Sequence, residues 1–134
     1  MEKPVYVLAS VLLLAALSGV CSSSTDTPVQ LGPDDNGSTV ILPVGDSFNI
    51  TLEGNLTTGY SWEADPAPDP SVLELVGEPA YQSESKALGA GGEFTFTYRA
   101  AGEGETGLRL VYYRPFEPDV PPLEEYLLTI QVTP

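Results

Sequence analysis

The 134-residue chain has no histidine and a single cysteine, Cys21, so the groups that could move protons or attack an electrophile reduce to carboxylates and hydroxyls. Carboxylates are plentiful: 19 Asp and Glu stand against five Lys and Arg, with neighbouring pairs at Glu124-Glu125 and Asp34-Asp35. Two acids in one cleft could serve a hydrolase, one as acid and the other as base or nucleophile. No spacing here places two in one cleft, and in so acidic a chain the pairs read as solvated surface charge. Asp34-Asp35 offers oxygen ligands, but no calcium-loop pattern is complete around it. No catalytic residue, metal site or cofactor is assigned. The remaining concentrations of specialised residues suit recognition rather than reaction.

Three segments carry them. In Asn55-Leu56-Thr57-Thr58-Gly59-Tyr60, Gly59 can take positive φ without a Cβ penalty, and the Asn and Thr side chains can bond nearby backbone. The result is a compact turn with Thr57 and Thr58 at its tip. Gly89-Ala90-Gly91-Gly92 holds three glycines in four residues, the mark of a turn or of a surface that another backbone approaches closely. A phosphate cradle would need a following helix, whereas a strand pattern follows here. In Arg114-Pro115-Phe116 the proline fixes φ and ends a ladder, so Arg114 and Phe116 project from a stiff corner. Taken singly, each segment also reads as an ordinary β-connection or strand terminus, and Trp62, just after the first, reads as a core residue.

The elements that must position these loops are strands. Thirteen Gly and thirteen Pro break any long helical period. Short apolar runs at 29–31, 39–44 and 72–76 read as strands, and Tyr81-Gln82-Ser83 as a continuation beyond Gly77 and Pro79. Phe48, Ile50 and Leu52 alternate with polar residues, as do Phe94, Phe96 and Tyr98, the period of half-buried strands. Residues 60–64, 107–113 and 125–132 supply the rest, with turns at 32–37, 45–46 and 102–105. The proline-rich 65–70 stretch cannot sit inside a ladder and reads as a crossing between sheets. About seven to eight short strands at this spacing predict an all-β antiparallel sandwich.

The N-terminus reads differently. An apolar run of about 16 residues, 5–20, is short for a bilayer span of about 20 and stops at a polar spacer. It reads as a signal peptide over 1–21, followed by a polar linker and first short strand over 22–37 and one domain over 38–134. Cys21 sits where a lipoprotein signal places its lipid-bearing cysteine, although Val20 before it is larger than such signals prefer; plain cleavage nearby is the alternative. Export follows either way: secreted, periplasmic or lipid-anchored at the cell surface. Beyond residue 21, 18 acids face Lys86, Arg99, Arg109 and Arg114, so the whole net charge of −14 sits on the exported part. Such a field repels phosphates and anionic lipid heads, which argues against nucleic acid and against electrostatic membrane binding. Asn36-Gly37-Ser38, Asn49-Ile50-Thr51 and Asn55-Leu56-Thr57 fit the N-glycosylation pattern.

The three loop segments, in this order between strands, resemble the contact loops of the chagasin family of cysteine-protease inhibitors. The family's first motif is Asn-Pro-Thr-Thr-Gly-Tyr or -Phe with a Trp close behind. This chain keeps Asn55, Thr57, Thr58, Gly59, Tyr60 and Trp62, and has Leu56 in place of the proline. Gly89–Gly92 matches the family's Gly-x-Gly-Gly loop, and Arg114-Pro115-Phe116 its Arg-Pro-Trp, with Phe116 lacking the indole N–H. The resemblance spans roughly 39–132. It implies an immunoglobulin-like sandwich, with three loops at one end wedged reversibly into the cleft of a papain-like cysteine protease. Thr57-Thr58-Gly59 would lie over the catalytic pair, and the other two loops against the cleft walls. Phe116 and Arg114 are the expected anchors, Tyr60 a support from behind, and the protein a monomer. The competing reading is a secreted immunoglobulin-like adhesion or scaffold module, and whether the three loops share one end separates the two.

Overall fold

The computed structural model describes residues 28–134. The expected signal peptide over 1–21, with Cys21, therefore lies outside the described residues. Nine strands follow in order: β1 (Val29–Leu31), β2 (Thr39–Pro43), β3 (Ser47–Gly54), β4 (Ser61–Ala64), β5 (Leu73–Leu75), β6 (Ala80–Ser83), β7 (Gly92–Ala100), β8 (Gly104–Tyr113) and β9 (Glu124–Thr133). One sheet runs β1-β3-β7, with β5 and β6 both on the far flank of β7; the other runs β2-β9-β8-β4.

The alternating sequence pattern produces the two inner faces. Phe48, Ile50 and Leu52 of β3 and Phe94, Phe96 and Tyr98 of β7 are buried against Leu108, Leu110 and Tyr112 of β8 and Tyr126, Leu128, Ile130 and Val132 of β9. Each such side chain gains about 1.5–3 kcal/mol on leaving water, so β3, β7, β8 and β9 form the stable centre. Trp62 joins them at 7% exposure, its Nε1 donating to the Glu53 carbonyl at 3.0 Å. The expected core role of Trp62 is what the structure shows.

Three departures from the sequence reading have plain causes. The sandwich is antiparallel within, but its edge strands β1 and β2 pair in parallel with β3 and β9. The 32–38 turn carries the chain across from one sheet to the other, so both strands arrive at outer edges. Asn36 extends the β9 ladder there with its side chain, donating to the Glu125 carbonyl and accepting from the Leu127 N–H. β5 is shorter than the 72–76 run because β5 and β6 share one flank of β7: β5 covers 98–100 and β6 covers 92–95. The break at Gly77 (φ +71°) and Pro79 lets the chain step from one half to the other. Gly104 and Glu105, expected in a turn, open β8 because they pair with Val132 and Gln131.

Candidate functional site

The register puts all three segments at one end. β3 ends at Gly54 opposite Gly92, and Gly92 is also opposite Ser83 of β6. The central loop (55–60) and the glycine-rich loop (84–91) therefore leave the first sheet side by side. In the second sheet Ser61 pairs with Tyr113, and Glu124 with Tyr112, so the 114–123 loop leaves at that same end.

The central loop is built from its own polar groups. Asn55 is extended and caps a single 3₁₀ turn, Leu56–Thr58, by accepting from the Thr57 N–H at 3.0 Å. The Thr57 hydroxyl also donates to Asn55 Oδ1 at 2.5 Å, and the Thr58 hydroxyl to the Asn55 carbonyl at 2.7 Å. Gly59 closes the turn in the left-handed region, at φ +87°. That conformation favours glycine, and a Cβ there would fall 2.9 Å from the Phe116 ring. Both requirements converge on one residue.

Side chains from elsewhere fix the loop from both flanks. Asn55 Nδ2 donates to the Gly89 carbonyl at 3.0 Å, joining the central loop to the glycine-rich loop. Arg114 Nε donates to the Thr58 carbonyl at 3.1 Å, and its guanidinium lies 4.5 Å from the Tyr60 ring centroid. Its Nη1 reaches Glu117 at 3.3 Å. Tyr60 stacks on Tyr112 at 5.0 Å, and the Tyr112 hydroxyl accepts from the Asn55 N–H at 2.8 Å. A column of Trp62, Tyr112, Tyr60 and Arg114 thus rises from the core to the loop tips. Cation–π contacts and stacked rings each contribute on the order of 1 kcal/mol.

The predicted site residues divide by exposure. Leu56, Thr57, Thr58, Gly89, Pro115 and Phe116 are exposed; Asn55, Gly59, Tyr60, Ala90, Gly91 and Arg114 are half-buried; Gly92 is buried at the start of β7. Arg114 therefore acts largely within the tip, where it holds Thr58, while Phe116, with its ring over Gly59, remains 68% exposed. Sequence reasoning passed over two residues. Tyr112 looked like one more strand aromatic, and only its contacts across the sandwich mark it as the pillar under the loop. Leu88, fully exposed at 102%, is the one large apolar residue on a loop of small and polar residues, and that contrast was a usable signal.

Glu125 is paired with Arg109, and Asp35 caps its own turn by accepting from the Gly32 N–H. Among the described residues no three His, Cys, Asp or Glu side chains group as a metal site would require.

Comparison with known proteins agrees with this geometry. Residues 41–130 match the family described as Chagasin family peptidase inhibitor I42. Amoebiasin-1 of Entamoeba histolytica is 34% identical over 92 residues, 68% of this chain and 87% of the relative. Chagasin of Trypanosoma cruzi is 34% identical over 84 residues, 60% of this chain and 76% of the relative. In fold the chain is similar to the crystal structure of the cysteine protease inhibitor EhICP2 from Entamoeba histolytica, with TM-score 0.69 and 21% identity over 78% of this chain and 95% of that one. A family match that begins inside β2 and ends inside β9, with every braced loop between them, leaves one conclusion: the chain belongs to the chagasin family of peptidase inhibitors.

Proposed function

We propose that this protein is an exported, non-enzymatic inhibitor that closes the active-site cleft of a papain-like cysteine protease with its three-loop end. The observation that carries the reading is the cross-tied tip. Asn55 joins the central loop to Gly89, and Arg114 joins it to the 114–123 loop. Loops fixed before docking lose little conformational entropy on binding, so more of the contact energy survives as affinity. Three such loops can cover an interface of standard size, about 1,600 Å² in total. An adhesion module would not require a tip braced in this way.

Inhibition by this route is reversible and competitive. The central loop presents a closed 3₁₀ turn instead of an extended peptide, and its Asn55 and Leu56 carbonyls already accept bonds from Thr58 and Gly59. Nothing is offered to the protease for cleavage. Thr57, Thr58 and Gly59 would meet the catalytic pair, Phe116 one wall, and Gly89–Gly91 the other, with the domain acting as a monomer.

Export fits the same picture. β1 runs parallel to β3, with Val29 beside Phe48, so the described chain enters the sandwich roughly 20 Å from Gly54 and the loop tips. A lipid on Cys21 would tether the chain through the end of the sandwich away from the loops, and a cleaved signal peptide would leave the domain free.

The test is a titration of papain and of a cathepsin L-type enzyme with the domain lacking residues 1–21, followed by a fluorogenic peptide. The control replaces 56–59 with Gly-Ser sequence. Stoichiometric, reversible inhibition that the control loses is expected; no inhibition at micromolar domain would sink the reading.

A further inference from the structure

Resting on the inhibitor reading, one question is what the tip selects. The central loop carries two threonines and a glycine, which suit many clefts alike. The discriminating chemistry lies elsewhere: each of the three loops exposes at least one large apolar side chain, and the 114–123 loop adds Val120 at 52% and Leu123 at 62%. Leu56 is 44% exposed on the central loop, Leu88 102% on the glycine-rich loop and Phe116 68% on the 114–123 loop. Leu88 is wholly in solvent, and Leu56 stands at the first position of a turn whose side-chain hydrogen bonds come from other residues. The Asn55 cap, the threonine hydroxyls and Gly59 already close that turn.

We propose that Leu56 is a specificity-determining contact: with Leu88 and Phe116 it forms three apolar prongs, and it favours cysteine proteases whose cleft is apolar beside the catalytic pair over those with a charged group there. The prongs stand on a braced base. The Phe116 ring packs over Gly59, and Gly89, next to Leu88, is held by Asn55. An apolar side chain held in place gains affinity against an apolar wall, and against a charged one it strips water from that charge without replacing its hydrogen bonds.

The backbone supplies a clean way to separate the side chain from the fold. Asn55 sits at φ −132°, ψ 101°, the extended conformation that a residue before proline requires, and the first position of a helical turn tolerates proline well. Leu56→Pro should therefore keep the turn while removing the isobutyl group and the N–H, and Leu56→Ala should remove the side chain while keeping the N–H.

The experiment measures inhibition constants of the wild type, Leu56→Pro, Leu56→Ala, Leu56→Ser and Leu88→Ser against two papain-like proteases. One has an apolar binding subsite beside the catalytic pair, and the other has a carboxylate there. Thermal melting first confirms that each variant is folded. The wild type should prefer the apolar enzyme. The Leu56 variants should lose about tenfold on it, equivalent to about 1.4 kcal/mol, and much less on the charged one. Leu88→Ser should move the ratio in the same direction. Wild-type inhibition with an unchanged ratio in all Leu56 variants overturns this inference and leaves the inhibitor reading standing; a wild type that inhibits neither enzyme overturns both.

Discussion

Asn55 spends one side chain on two tasks: its carbonyl oxygen caps the 3₁₀ turn and its amide holds Gly89. The two can be separated. Asn55→Asp keeps the cap acceptor and removes the donor to Gly89, so it should weaken inhibition several-fold while the thermal midpoint stays within a few degrees; Asn55→Ala loses both and should also cost about 1 kcal/mol in chemical denaturation. A glycan on Asn55 would crowd the tip, so active molecules should be unmodified there. An intact-mass peak with a glycan at Asn55 and full inhibition would contradict the wedge. Arg114 is the second brace. Arg114→Lys conserves the charge but loses the planar fork that bonds Thr58 and lies on Tyr60, and roughly a three- to tenfold weaker inhibition constant is expected, with ionic-strength dependence unchanged. Had the role of Arg114 been charge alone, lysine would restore it.

At the scale of elements, the glycine-rich loop depends on how β6 and β7 meet. A Cβ on Gly92 would fall 2.3 Å from the Gln82 carbonyl oxygen, a backbone atom that cannot swing away. Gly92→Ala should therefore push β6 off β7 and destabilise by about 2 kcal/mol or more, with faster amide exchange over 80–83 and a weakened inhibitor. Gly107→Ala is the matched control, since nothing lies within 4 Å of the added atom, and it should be close to neutral. The strands themselves were legible because alternation is a local property: Phe94, Phe96 and Tyr98 declare an inner face whatever lies opposite. The count and the edges were less so. The parallel pairings of β1 and β2 depend on where the 32–38 turn delivers the chain, and no local pattern encodes that.

For the whole molecule, the acidic field and the buried phenols set the response to solution conditions. Three of the four basic side chains beyond residue 21 are ion-paired, Arg99 with Glu74, Arg109 with Glu125 and Arg114 with Glu117. Lys86, beside the glycine-rich loop, has no carboxylate partner among the described residues. Burial pushes Tyr98 and Tyr126 up to about 12. A phenol held neutral in the fold but free to ionise near 10 when unfolded contributes stability in full below pH 10, and loses it as pH rises toward 12. The loss is on the order of 2 kcal/mol for Tyr98 alone. The unfolding midpoint should be flat from neutrality to about pH 10 and then fall steeply, with the last phenolate absorbance appearing together with unfolding. Smooth titration of every tyrosine near 10 in a folded protein would contradict this packing.

By itself the sequence determined the β class and the three loop segments, because each is written in residues close together along the chain. Alternation, glycine, proline and charge act within a few positions. Tertiary structure decided what those segments are for one another. Arg114 reaches Thr58 across 56 positions and Asn55 reaches Gly89 across 34, and both contacts exist only because the register of β3 with β7 and of β4 with β8 brings three loops to one end. The same register turned Arg114 inward as a brace and left Leu56, Leu88 and Phe116 in solvent. Strand pairing, a long-range property paid for by the core, is what converts three ordinary turns into one rigid surface.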